Sequence, residues 1–83
     1  SLHDALPILN TIIEAKCTRT STNLKKLTEE IEADIVHYKA DYIFFYIYDK
    51  EKIIKDRHAF ETNFNRSFDG KEVRIIILQP VNM

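Results

Sequence analysis

The most regular alternation of apolar and polar positions lies between residues 24 and 39. An apolar residue recurs there every three or four positions, at Leu24, Leu27, Ile31, Ile35 and Tyr38. Side chains at that spacing share one face of an α-helix. The pattern therefore predicts an amphipathic helix that ends near Lys39, with Thr22 or Asn23 as its N-cap.

Three segments rich in β-branched and aromatic residues are typical of strands. They span residues 9–18, 42–48 and 72–79. The middle segment, YIFFYIY, has no charged residue and no apolar–polar alternation, which predicts a central strand covered on both faces. Between the last two strands, Phe60, Phe64 and Phe68 follow one another at steps of four, which predicts a short helix capped by Asp56 and Gly70.

The predicted order is strand, helix, strand, helix, strand. Such alternation favours an α/β fold with at least one parallel pair of strands, joined by a right-handed crossover. We therefore expect a mixed sheet of about three strands flanked by helices. Pro7 fits poorly beside the first strand, because proline removes a backbone donor. We expect residues 1–8 to be a non-native, vector- or adapter-derived segment, and residues 9–83 to be part of a longer domain.

Composition restricts the setting of the protein. The 83 residues are 45% hydrophobic and 30% charged, as in ordinary globular chains. No apolar stretch approaches the roughly 20 residues that span a bilayer, and the single cysteine gives no internal disulfide. We therefore expect a soluble, cytoplasmic protein with no membrane partner. The net charge of −1 shows no overall basic excess, so binding to nucleic acid would depend on local charge.

Glu14 and Lys16 are the best candidates for chemistry. They stand two residues apart on the first predicted strand, so both side chains leave the same face. A carboxylate suits Mg²⁺, and a neighbouring ammonium can orient water or stabilise charge on a phosphate. An isolated E-x-K pair is a weak signal, however, because such pairs also occur on the solvated faces of strands.

The surrounding residues make the signal more specific. The apolar E-x-K strand ends in Thr18-Arg19, and the helix after it carries an E-E-I-x-x-D-I-x-x-Y pattern from Glu29 to Tyr38. The central strand ends in Tyr48-Asp49, and an F-E-x-x-F pattern follows from Phe60 to Phe64. Together these features, over about residues 10–80, resemble the PD-(D/E)xK nuclease superfamily, with its restriction-endonuclease-like core, as found in bacterial restriction and defence.

The resemblance implies metal-dependent hydrolysis of DNA phosphodiesters, with Mg²⁺ or Mn²⁺ as cofactor. It implies that Glu14 is a metal ligand, that Lys16 positions or activates the attacking water, and that the Ala15 carbonyl is a further ligand. The family carries another acidic ligand about ten residues before this glutamate. Asp4 has that spacing, but it lies in the segment expected to be foreign, so the fragment could be inactive.

Local charge favours DNA contact near this strand. Four basic residues and no acidic one lie between positions 16 and 26: Lys16, Arg19, Lys25 and Lys26. Positive charge in the first turn of a helix opposes the helix dipole, so helix stability does not explain Lys25 and Lys26. Phosphate contact does, although a solvated loop is the alternative. Glu30 is a candidate for supporting the metal site from the helix, against a simple surface role for the acidic ridge of Glu29, Glu30 and Asp34.

Two classes of function remain. The first is a DNA endonuclease core, for which a homodimer is one expected oligomeric state. The second is a non-catalytic α/β interaction or dimerisation module, because an unpaired strand edge recruits partners.

Overall fold

The structure is a computed structural model that describes residues 10–81. It has six elements, in the order β1 (Thr11–Cys17), α1 (Leu24–His37), β2 (Tyr42–Tyr48), α2 (Arg57–Phe64), β3 (Ser67–Phe68) and β4 (Lys71–Leu78). The predicted order of strands and helices is confirmed, with a two-residue strand, β3, added before the last one. The predicted boundary between residues 8 and 9 lies outside the described residues and stays a prediction.

The strands form one mixed sheet in the order β1-β2-β4-β3. β1, β2 and β4 run parallel, and β3 pairs with β4 in the antiparallel direction. The predicted mixed α/β sheet is therefore confirmed. Because parallel strands end at the same edge of a sheet, the residues that follow β1, β2 and β4 lie side by side. That edge adjoins the start of α1.

Both helices begin at the polar residues that the sequence offers. The Asn23 side chain accepts a hydrogen bond of 2.8 Å from the Lys26 amide, and the Asp56 side chain accepts one of 3.0 Å from the Ala59 amide. Each cap satisfies an amide that the first helical turn would leave unpaired. Neither helix in residues 10–81 has the length and apolar content needed to cross a bilayer.

The prediction that Gly70 caps the second helix is wrong. α2 already ends at Phe64, and Phe68 lies in β3 with its ring stacked on Phe64 at 6.2 Å between centroids. Asp69 and Gly70 form the turn between β3 and β4, with φ of 50° and 84°. An Asp-Gly pair suits this position, because a two-residue hairpin turn of that kind needs positive φ at both residues.

The core lies between the sheet and the two helices. The inward side chains of the helices and of β2 and β4 are buried in one cluster, which includes Leu27, Ile31, Ile35, Ile43, Phe45, Ile47, Phe60, Phe64, Val73, Ile75 and Ile77. Alternate residues along each strand point to this layer. The predicted apolar stripe of α1 is thus the face that packs on the sheet.

The opposite face of the sheet is uncovered in the described part of the chain, so the prediction of a central strand buried on both faces is wrong there. Tyr46 and Tyr48 are each 41% exposed, and Ile13, Ile76 and Leu78 on the neighbouring strands are exposed as well. The reason is that α1 and α2 both pack on the same face. An unalternating apolar run predicts two buried faces, but it does not say which residues cover them.

Candidate active site

Glu14 and Lys16 point to the face of the sheet that α1 covers. They lie opposite Phe45 and Ile47 of β2, and their side chains retain 25% and 17% of their exposure. The even-numbered residues of β1 are half-buried, whereas the odd-numbered ones are exposed. The E-x-K pair therefore lies at the rim of the core and not on a fully solvated strand face.

The Lys16 ammonium joins two carboxylates from different elements. Its Nζ lies 2.6 Å from Asp34 Oδ2 of α1 and 3.6 Å from Glu14 Oε1 of β1. The Asp34 oxygen is buried, and its contact with Lys16 is a close ion pair at hydrogen-bonding distance. This pair connects the helix to the strand at the site.

Asp34 is the site residue that the sequence analysis missed, because it was assigned to a surface ridge. It lies three residues after Ile31 and four before Tyr38, in the middle of the apolar stripe of α1. A charged residue at that position must face the sheet, and a buried charge needs a partner. That break in the stripe is the signal that could have identified it.

The charges around Lys16 keep it a cation. Burial would lower the pKa of Lys16, but the carboxylates of Asp34, Glu14 and Glu30 outweigh burial and raise the pKa above its ordinary value of 10.5. Next to them, partial burial and the carboxylates of Glu14 and Asp34 raise the pKa of the Tyr38 hydroxyl above 10.0. Lys16 can therefore supply positive charge and hydrogen-bond donors at neutral pH.

One oxygen of the Glu14 carboxylate is available to a cation as far as residues 10–81 are concerned. Its Oε2 is buried and has no hydrogen-bond partner among the described residues, and an unpaired carboxylate oxygen is a good ligand for a hard divalent ion. Within residues 10–81, however, no three His, Cys, Asp or Glu residues converge on one point. These residues fit part of a metal site, and any further acidic ligand must come from elsewhere. Asp4 lies outside the described residues.

A cavity of about 350 Å³ opens beside Lys16, at the junction of β1 and α1, and Glu14 does not line it. Three of its lining residues are basic, namely Lys16, Arg19 and Lys26, and Glu30 also lines it. Ser21 and Thr22 add hydroxyl groups to the wall. Two of the predicted DNA contacts, Arg19 and Lys26, thus share a cavity with Lys16. Lys25 is exposed and does not line this cavity.

Thr18 and Asp49, from the motifs that end β1 and β2, connect the ends of these two strands. Asp49 is fully buried, and its carboxylate accepts hydrogen bonds from the Thr18 hydroxyl at 3.0 Å and the Gln79 amide at 2.8 Å. The backbone amides of Ile53 and Ile54 donate two more, at 3.0 and 2.8 Å. Thr18, Asp49 and Gln79 directly follow β1, β2 and β4. The network therefore joins the carboxyl ends of all three parallel strands.

The parallel β-α-β unit with an E-x-K strand, together with the helix behind it, defines the class as an α/β core of restriction-endonuclease type. The sequence model of the DpnII-MboI restriction endonucleases, described as REase_DpnII-MboI, matches residues 4–80. The chain therefore belongs to the DpnII-MboI restriction endonuclease family, and the resemblance to restriction-endonuclease-like nucleases is confirmed. No curated protein and no solved structure gives a match.

Proposed function

We propose that this chain is the core of a metal-dependent endonuclease that hydrolyses DNA phosphodiesters in restriction or defence. The observation that carries the proposal is the Glu14–Lys16 pair at the rim of the core. One oxygen of the Glu14 carboxylate has no hydrogen-bond partner within residues 10–81, and Lys16 lines a cavity together with two other basic residues. Membership of a restriction endonuclease family supports DNA as the substrate. The proposed setting is the cytoplasm.

Each residue has a separate proposed role. Glu14 would hold a divalent ion, Mg²⁺ or Mn²⁺, with the Ala15 carbonyl and an acidic residue such as Asp4 as further ligands. When bound, such an ion supplies positive charge to the phosphate and makes a water ligand more acidic. Lys16 orients the attacking water and stabilises charge on the phosphate. The water oxygen would form a new P–O bond while the bond from phosphorus to the leaving sugar oxygen breaks; one proton of the water would pass to that oxygen and the other to solvent.

Plasmid cleavage by the full-length natural protein tests the proposal. Supercoiled DNA is incubated with the protein in Mg²⁺, in Mn²⁺ and in excess chelator, and nicked and linear products are measured. The expected result is cleavage with either metal and none with the chelator. Cleavage that persists in chelator would show that the reaction does not depend on metal. No cleavage under any condition would contradict the proposed nuclease activity.

Arg19 and Lys26 are proposed to hold a phosphate next to the reacting one, because both line the cavity beside Lys16. The double change Arg19→Gln and Lys26→Gln should flatten the dependence of DNA affinity on salt. Each lost phosphate contact lowers the slope of log affinity against log salt by about 1, so the expected change is about 2. Fluorescence anisotropy with labelled duplex DNA, measured in Ca²⁺ or without metal, gives the slope.

Two further variants are measured beside the double variant, one as a control and one as a test of a separate contact. Lys39→Gln removes an exposed lysine beyond the end of α1, away from the cavity, and should leave the slope unchanged. Lys25→Gln tests whether the predicted contact at Lys25 exists, although its side chain lies outside the cavity. If the Arg19 and Lys26 double variant keeps the original slope, the cavity does not bind phosphate. Glu30, the predicted supporting residue, lines the same cavity and keeps that role as a proposal.

The face of the sheet that residues 10–81 leave uncovered favours a second candidate function, an interaction or homodimerisation module. Ile13 is 67% exposed and Leu78 is 56% exposed on that face, and such an apolar surface marks an interaction site. Sedimentation equilibrium of the wild-type protein and of the Ile13→Lys, Leu78→Lys double variant distinguishes the cases. A dimer that the variant loses would support the module, and a monomer at all concentrations would exclude self-association through this face.

A further inference from the structure

We infer that Asp34 is a positioning residue of the proposed active site, which holds the Lys16 ammonium in place for the reaction. The inference rests on the proposed nuclease function and adds a residue to it. Asp34 belongs to the helix pattern from Glu29 to Tyr38, but the resemblance assigns it no role. It reaches the site from α1, 18 residues further along the chain than Lys16.

The geometry singles out Asp34 among the acidic residues of α1. Its Oδ2 lies 2.6 Å from Lys16 Nζ, whereas Glu29, Glu30 and Glu32 are exposed. A free lysine side chain samples many rotamers, and an exposed ion pair would restrain it little. Here the side chains of Lys16 and Asp34 are only 17% and 25% exposed, so solvent weakens the pair less.

The position of Asp34 also fixes which way Lys16 points. Glu14 Oε1 is the more distant partner of the ammonium, at 3.6 Å. Without Asp34, the ammonium would be free to move onto Glu14, which is the carboxylate proposed to bind metal. With Asp34 present, Lys16 has a partner of its own, and Glu14 Oε2 keeps no hydrogen-bond partner within residues 10–81. Asp34 therefore separates the lysine from the ligand of the metal.

Kinetics of the full-length protein test the inference. Asp34→Asn keeps the shape of the side chain and removes its charge. Loss of a group that orients a metal ligand costs about 10–100-fold in activity, and a loss of the same order is expected for a group that orients Lys16. We expect that fall in kcat, with KM for DNA and metal-free DNA affinity unchanged. Asp69→Asn makes the same change in the exposed β3–β4 turn and should have no effect.

A double-mutant comparison shows whether Asp34 acts through Lys16. If it does, adding Asp34→Asn to Lys16→Met should lower the remaining activity by less than about twofold, because the interaction is already lost. A further 10–100-fold loss in the Lys16→Met background would overturn the inference, since Asp34 would then act independently. So would a rise in kcat for Asp34→Asn alone, because Asp34 would then restrain Lys16 in an unproductive position.

A measurement that needs no activity separates this inference from the proposed function. In ¹⁵N NMR, the held Lys16 ammonium should give a slowly exchanging Nζ signal, assigned by its loss in Lys16→Arg. The signal should broaden beyond detection in Asp34→Asn and persist in Asp69→Asn. If the wild-type protein cleaves no DNA, the proposed function fails while this signal still decides the Asp34–Lys16 contact. A signal unchanged in Asp34→Asn would overturn the contact.

Discussion

Changing Glu14 to glutamine is expected to lower metal-dependent DNA cleavage by about 10³-fold or more while the protein remains folded. Glutamine keeps the size of the side chain, but it removes the negative charge that would hold a divalent ion. Metal stabilisation of charge in the transition state contributes several kcal/mol, and about 4 kcal/mol corresponds to about 10³-fold in rate. Initial rates of plasmid nicking at saturating DNA, over a series of Mg²⁺ concentrations, measure the loss.

Glu32→Gln is the matched control for this prediction, because it makes the same change at an exposed position of α1. It should cleave at the wild-type rate. Circular dichroism and thermal unfolding of both variants check that each is folded. A Glu14→Gln protein that is folded and retains more than a tenth of the wild-type rate would show that Glu14 is not an essential ligand, and the proposed role of the E-x-K pair would have to be withdrawn.

Local signals in the sequence predicted the elements of this fold well. The apolar stripe of α1 and the capping residues Asn23 and Asp56 act within a few positions of one another, and the structure places all of them as expected. The same holds for Glu14 and Lys16, since alternation along a strand puts residues two apart on one face. Where the physical cause is local, one sequence is enough to identify it.

The features that were missed depend on contacts between distant parts of the chain. The Lys16–Asp34 pair arises because α1 packs across β1, and the sequence gives the stripe of the helix but not the strand that it meets. Asp49 forms hydrogen bonds with Thr18 and Gln79, which are 31 and 30 residues away from it in the sequence. Parallel pairing brings these residues together, and its register is set by the whole sheet and not by any one segment.

Which faces of the sheet are covered also could not be predicted from a single segment of the sequence. The run from Tyr42 to Tyr48 is apolar on both of its faces, and only the side toward Ile43, Phe45 and Ile47 is covered in residues 10–81. The pattern of apolar and polar residues predicts that a surface is buried, but it does not predict which residues pack on that surface. A partner subunit or another part of the protein would satisfy the same pattern.

Asp49→Asn is expected to lower the free energy of unfolding by about 3–5 kcal/mol. Four donors point at the Asp49 carboxylate, and an asparagine would turn an NH₂ group toward some of them. Each hydrogen bond to a charged group contributes about 1.5–3 kcal/mol, and a buried donor left unpaired costs a further penalty. A domain of this size has a total stability of only about 4–12 kcal/mol. Urea unfolding followed by circular dichroism measures the difference, with the exposed Asp69→Asn as control.

The dependence on pH identifies the charge of Asp49 as the cause. Burial would raise the pKa of Asp49, but hydrogen bonds from Gln79, Ile54, Ile53 and Thr18 outweigh burial and lower the pKa below its ordinary value of 3.8. A carboxyl whose pKa is lower in the folded state stabilises the protein above the unfolded value, and that stability disappears as the pH falls through the folded pKa. The stability gap between wild type and Asp49→Asn should therefore stay constant at neutral pH and shrink below pH 3.8. A gap that does not change in acid would assign the loss to packing instead of to the charge of Asp49.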